Sequence, residues 1–314
     1  MSNPYNPTPF FFRTLEPVHV GAGGYRLGRV DKTIVREPGT NLPKIPGTSL
    51  AGAARSYASI LYGKPEAAGA HSNFRGDKAQ CPIIYTFGTL SETEGGHAGT
   101  VSVGDARIVF FPVRSIAGCV HVTCPQALKD ANIAGAPSTE PDMTKIFYAG
   151  HKREDPGLNL SWLWFDQSRV TPWDIPEGSL KTRFGTRLAL VSDSLFSHIV
   201  NSNLEIRTSV AIDHETGTAK DHMLFSYEAI PRDTWLMNEV VEDDYRDGPG
   251  FKEVEYQFDP TSKPKEEKRS TTKMTCPKWT CPTDVVKAGL GLMEFLGVGG
   301  MGTRGFGRLK LETL

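Results

Sequence analysis

No stretch of the sequence approaches the roughly 18–20 uninterrupted apolar residues of a membrane span. Its start, MSNPYNPTPFFFRTLEP, has no basic segment leading into an apolar one, so neither secretion nor membrane attachment is expected and a cytoplasmic setting is. The cysteines are few and odd in number, five across 314 residues, which suits a reducing compartment better than a disulfide framework. Net charge is nearly absent at −1, which argues against a freely diffusing nucleic-acid binder with a global basic field. There is no G-x-x-x-x-G-K-[ST] loop, no nucleophile elbow and no H-E-x-x-H, so P-loop nucleotide chemistry, elbow-type serine hydrolysis and zincin chemistry lack their residues.

What is present is a globular composition, 39% hydrophobic and 23% charged, with charge unevenly placed. Residues 1–60 hold seven basic and three acidic side chains, so the remainder carries −5 against the chain's −1. A polyanion site is therefore expected to draw on the N-terminal part.

Local pattern predicts strands over 12–21, within KTIVRE, over 100–113 with a break at Gly104-Asp105, over 117–125, within WLMNEVV and in the last segment GRLKLETL. TSLAGAARSYASILYG reads as a helix capped by Thr48 or Ser49, with Leu50, Ala53, Ala54, Tyr57, Ala58 and Leu61 on one face and Gly63 as its stop. Further helices are expected over 192–203 and 283–297, and a short one in PQALKDANIAG. Two β-prone arms around the turn ETG make 204–231 a hairpin. Segments 64–98 and 134–176 read as insertions and 242–275 as a charged mobile loop. Short strands interleaved with a few good helices predict an α+β fold in one domain, 1–314.

Three features could carry chemistry. GVGGMGTRGFGRLKL (297–311) is rich in glycine but follows a helix and precedes a strand, the reverse of a dinucleotide-binding turn. It is either a tight connection packed on its own domain or a ledge for a phosphate backbone with Arg304 and Arg308 at hand. Asp31 lies in a loop among Arg29, Lys32 and Arg36, where a carboxylate can hold Mg²⁺ or Mn²⁺ beside a phosphodiester, or can be a solvated ion pair. His19 is a possible acid–base partner. The cysteine pairs 119/124 and 276/281 lack the C-x2-C knuckle; buried free thiols are favoured over a shared structural zinc.

Taken together, HVGAGGYRLGRVDKTIVREPGTNLPKIPGTSLAGAAR, GHAGTVSVGDARIVFFPVRS with VTCP, and GVGGMGTRGFGRL resemble the RAMP superfamily of CRISPR effector proteins, specifically the repeated backbone subunit of the type III-B (Cmr) complex. The resemblance implies an RRM-like (ferredoxin-like) palm with long insertions and a β-hairpin thumb at about 204–231. It implies partners: CRISPR guide RNA, target RNA, further copies of the same chain and the other subunits of the complex, in a prokaryotic cytoplasm with no membrane. It implies metal-dependent endoribonuclease activity in that complex, cutting target RNA at regular intervals. Asp31 then falls on the family's catalytic aspartate and would be the metal ligand, with His19, Tyr227 and Glu228 beside it. RNA contacts would come from Lys44, Thr48, Ser49 and Arg55, from Gly299, Gly300, Gly302, Arg304 and Gly305, and from Arg207 and Lys220 on the hairpin. The chain departs from the family pattern with Ala51 where a guide-contacting lysine is usual and Ala229 where a second aromatic is expected. A non-catalytic structural backbone subunit is the alternative; a guide-processing endonuclease is the less favoured one.

Overall fold

A computed structural model describes residues 5, 7–23, 30–69, 74, 77–90, 96–135, 137, 141–244, 251–254 and 278–314, without the side chains of 79 and 220–223. Most of the charged 242–275 stretch lies outside the described residues. The chain forms two compact units, each assembled from segments distant in sequence: 1–8, 47–105 and 239–296 in one, and 9–46, 106–238 and 297–314 in the other.

The second unit carries most of a large mixed sheet. Its strands run in the order Leu309–Glu312, Thr8–Thr14, Trp235–Glu242, Ala106–Ser115, Gly118–Thr123, Leu188–Leu190, Ile146–Tyr148, Val170–Pro172. Neighbours are antiparallel except for Gly118–Thr123 with Leu188–Leu190 and Ile146–Tyr148 with Val170–Pro172, which are parallel. Val109, Phe110, Trp173, Phe184, Leu188 and Trp235 fill one core of this unit. The 134–176 segment, read from sequence as an insertion, supplies two of the sheet's strands.

The first strand lies upstream of its expected position. It occupies Thr8–Thr14 and alternates in burial, with Phe10, Phe12 and Thr14 inward. After it, the chain pairs through isolated bridges (Val18 to Ile230, Gly21 to Ile34) in place of a continuous ladder, and KTIVRE likewise makes bridges rather than a continuous strand. The segment 12–21 contains Pro17, which has no N–H to give a ladder.

In the first unit, the helix Gly47–Leu61 buries Leu50, Ala54, Ala58 and Leu61. It packs on Pro282–Gly291 so tightly that a Cβ on Gly289 would lie 2.1 Å from the Ala54 carbonyl oxygen. Its first amide is capped by the Asp105 carboxylate, which accepts from Gly47 N–H at 2.7 Å, and Thr48 and Ser49 sit inside the first turn. The stretch 64–98, expected as a polar loop, contributes the helix Pro82–Phe87 with Ile83 and Ile84 wholly buried beside Trp279 and Val285.

Glu205–Ile212 pairs antiparallel with Ala219–Ala229. The Asp213 side chain accepts from the Glu215 and Thr216 amides, and Gly217 takes a positive φ of 67° to close the turn.

Candidate functional site

The residues of interest in the second unit meet along one edge of the strand Ala219–Ala229. Lys32 N–H donates to the Ser226 carbonyl at 3.1 Å and Glu228 N–H donates to the Lys32 carbonyl at 3.2 Å. This parallel bridge fixes the segment after Val30 against the hairpin. Asp31 is exposed, and its Oδ2 accepts from both Ser226 N–H (2.7 Å) and Ser226 Oγ–H (2.9 Å). Those two donors, the amide first, hold the Asp31 carboxyl below the ordinary carboxylate range. Among the described residues no hydrogen bond reaches its Oδ1.

His19, Tyr227 and Glu228 are all buried. His19 Nδ1–H donates to the Glu228 carbonyl at 2.7 Å, which leaves Nε2 as the ring's acceptor when neutral. Its ring stands edge-on to Tyr227 at 5.9 Å, and Tyr227 packs against Phe306 at 5.5 Å. The Glu228 carboxylate is engaged by Arg36 through both terminal guanidinium nitrogens. Arg36 also donates to Asn201 Oδ1 at 3.0 Å, and Asn201 donates to the Asn41 carbonyl at 3.0 Å. The structure thus brings the four expected catalytic residues to 226–228 and its bridged partners, but it presents only Asp31 to solvent.

The terminal glycines divide into two sets. Gly299 has φ +85°, and a Cβ there would lie 2.5 Å from the His19 carbonyl oxygen; Gly307 has φ +93° with a Cβ 2.4 Å from the Val298 oxygen. The Gly300 and Gly307 amides donate to the carbonyls of His19 and Pro17. Gly299 and Gly307 serve close approach within the unit itself. Gly302 and Gly305 face open space, flanking exposed Arg304. The Arg304 guanidinium lies 5.6 Å over the Phe225 ring and Lys32 Nζ lies 4.6 Å over the same ring. One aromatic side chain therefore gathers a cation from the Asp31 segment and a cation from the glycine loop. Arg207 stacks on Phe306 at 4.7 Å while pairing with Glu205. Replacing Arg304 by alanine is expected to weaken RNA binding and to lower the slope of log affinity against log salt by about 1, read by titrations at several salt concentrations.

The other expected RNA contacts are less concentrated. Lys44 lies in the short strand Lys44–Ile45 of the second unit, paired with Arg107. The Lys220 side chain lies outside the described residues. Thr48, Ser49 and Arg55 belong to the first unit. There Thr48 is exposed and Ser49 half-buried, but the Asp105 carboxylate already occupies the helix N-terminus, where an incoming phosphate would meet like charge. Arg55 is buried and donates to the carbonyls of Ala67 (2.9 Å) and Gly69 (2.7 Å). These bonds remove its guanidinium from any surface open to RNA, a correction to the expectation that it binds phosphate.

Among the described residues no three or more His, Cys, Asp or Glu side chains converge on a point. A lone exposed carboxylate suits Mg²⁺ or Mn²⁺, which keep several waters and take substrate phosphate oxygens beside one or two carboxylates; it does not make a zinc cage. Cys81, Cys124 and Cys281 each stand at a helix N-cap directly before a proline. Burial raises the pKa of all three thiols. Cys276 lies outside the described residues.

Residues 11–310 match the RAMP superfamily, and the chain belongs to that family. It is 31% identical over 247 residues to the CRISPR system Cmr endoribonuclease Cmr4 of Pyrococcus furiosus, covering 73% of this chain and 79% of that one. Its fold resembles a chain of the type III-B Cmr-beta complex bound to cognate target RNA (TM-score 0.65, 16% identity, 98% and 96% coverage). It also resembles oligomeric Cmr4 from Pyrococcus furiosus (TM-score 0.54, 21% identity, 98% and 97% coverage). No helix among the described residues is long and apolar enough to cross a membrane.

Proposed function

We propose that this chain is a guide-RNA-binding backbone subunit of a type III-B CRISPR complex, polymerising along the guide and cutting complementary target RNA at regular intervals at Asp31. The observation that carries the reading is the exposed Asp31 carboxylate, anchored to the hairpin beside Phe225, where Lys32 and Arg304 converge. In this reading the mixed sheet contains the RRM-like palm, and the Glu205–Ala229 hairpin is the thumb. Exposed Ile206, Val210, Ile212 and Leu224 on the hairpin support its engagement with a further copy or with RNA. The similarity to Cmr4 supports the assignment of guide RNA, target RNA, further copies and other Cmr subunits as partners.

RNA carries its own nucleophile. The 2′-oxygen attacks the adjacent phosphorus, the 5′-oxygen leaves in line, and the proton lost from the 2′-OH is balanced by one delivered to the 5′-oxygen. The products are a 2′,3′-cyclic phosphate and a 5′-OH. The chain's task is to hold the backbone in line and place one anionic oxygen, Asp31 Oδ1, at the reacting groups. A divalent cation held by Asp31 and phosphate oxygens would supply charge neutralisation there. Arg304 and Lys32 offer positive charge for the flanking phosphates.

In a complex reconstituted with guide and target RNA, Asp31→Ala is expected to reduce the regularly spaced products at least about 100-fold. A 2′-deoxy nucleotide at each cut site should block the unsubstituted complex. Products that persist undiminished in Asp31→Ala would overturn the assignment. An unsubstituted complex that binds target and cuts nothing would leave the non-catalytic backbone subunit as the function.

A further inference from the structure

We infer that Ser226 is the positioning residue for the Asp31 carboxylate, an inference that rests on the catalytic reading of Asp31. Every polar group of Ser226 is committed to the Asp31–Lys32 segment. Its amide donates to Asp31 Oδ2 at 2.7 Å, its hydroxyl donates to the same oxygen at 2.9 Å, and its carbonyl accepts from Lys32 N–H at 3.1 Å. The hydroxyl also accepts from Asp31 N–H at 3.3 Å. Because the Ser226 oxygen receives that amide proton, its own proton is directed at Oδ2.

The consequence is an asymmetric carboxylate. Oδ2 is saturated by two donors from one residue, which fixes the plane of the group, and Oδ1 is the oxygen presented to RNA. An exposed aspartate without such a clamp samples several rotamers, and the ordering needed at the moment of reaction would oppose cleavage. The backbone bridge sets where the Asp31 Cα lies; the Ser226 hydroxyl, acting with the Ser226 amide on the same oxygen, sets how its carboxylate is turned. A serine is suited to this place, since its short side chain reaches back to its neighbour across the strand edge, where an alanine cannot donate and a longer side chain would overshoot.

The test uses the assembled complex with guide and target RNA. Ser226→Ala is expected to lower the single-turnover cleavage rate about tenfold with unchanged target affinity and unchanged hydrogen-exchange protection of the Lys32 and Glu228 amides, which report the bridge itself. Ser226→Thr, which keeps the hydroxyl, should return the rate to within about threefold of the parent. In an Asp31→Ala background, Ser226→Ala should have no further effect, because it acts through that carboxylate. A Ser226→Ala complex that cuts like the parent, while Asp31→Ala does not, overturns the inference alone. Faster exchange at Lys32 and Glu228 in Ser226→Ala also overturns it, by showing a structural role. Undiminished cleavage by Asp31→Ala overturns the catalytic reading beneath it.

Discussion

Replacing Glu228 by alanine is expected to lower the melting midpoint of the full chain by about 5–10 °C. The side chains of Glu228 and Arg36 are only 8% and 18% exposed, so removing the carboxylate leaves a guanidinium largely out of water with Asn201 and the Ile34 carbonyl as its remaining acceptors. Breaking a buried pair from one side costs about 3–5 kcal/mol, whereas replacing both partners by apolar groups is often close to neutral. Arg36→Met combined with Glu228→Met is therefore expected to recover most of the lost stability. Cleavage by that double variant decides the role of Glu228. Recovery of cutting together with stability makes the residue an anchor for the Asp31 segment. A stable but inactive double variant returns it to the catalytic group. Thermal melts and single-turnover assays on the same preparations provide both readings.

The parts of this fold that were legible in the sequence are those set by neighbours along the chain. The Gly47–Leu61 helix follows from its small-residue face and Gly63, which takes φ +70°. The Asp193–Ser202 helix has its Ser192 cap, with Oγ accepting from Leu195 N–H. The hairpin follows from its β-prone arms and turn. The first strand lies upstream of the 12–21 segment that local pattern favours, because Phe10, Phe11 and Phe12 in succession hide the alternation that its burial shows. The two-unit division was not legible, since each unit is assembled from three separated segments and no linker composition marks the joins.

The site shows the same limit. Asp31 could be singled out by its basic loop and by resemblance, but Ser226 lies 195 residues away, and no spacing rule links them. The signal available was a serine hydroxyl set between two aromatic side chains, Phe225 and Tyr227, in the descending arm. Arg36 was visible as a charge near Asp31, while its engagement by Glu228 depends on strand register. Sequence alone places the helix cap at Thr48 or Ser49, because the actual cap, Asp105, comes from a later segment.

Gly299→Ala and Gly302→Ala are expected to separate the two uses of the terminal glycines. At Gly299 an alanine meets two costs: a left-handed φ of +85°, and a Cβ 2.5 Å from the His19 carbonyl oxygen and 3.0 Å from Val20 Cγ2. The conformational cost is about 1–2 kcal/mol, and the clash adds about 1–3 kcal/mol, because backbone must move. That movement acts on the same His19 carbonyl that accepts from Gly300 N–H at 2.9 Å, so Gly299→Ala should lower both the melting midpoint and assembly on guide RNA. Gly302 has no atom within 4 Å of its would-be Cβ and no positive φ. Its alanine variant should melt like the parent. If the open side of this loop is where the RNA backbone comes close, Gly302→Ala weakens guide binding about fivefold, roughly 1 kcal/mol, at unchanged stability. Unchanged guide binding in Gly302→Ala would confine the loop's glycines to packing and leave Arg304 as its contribution to RNA.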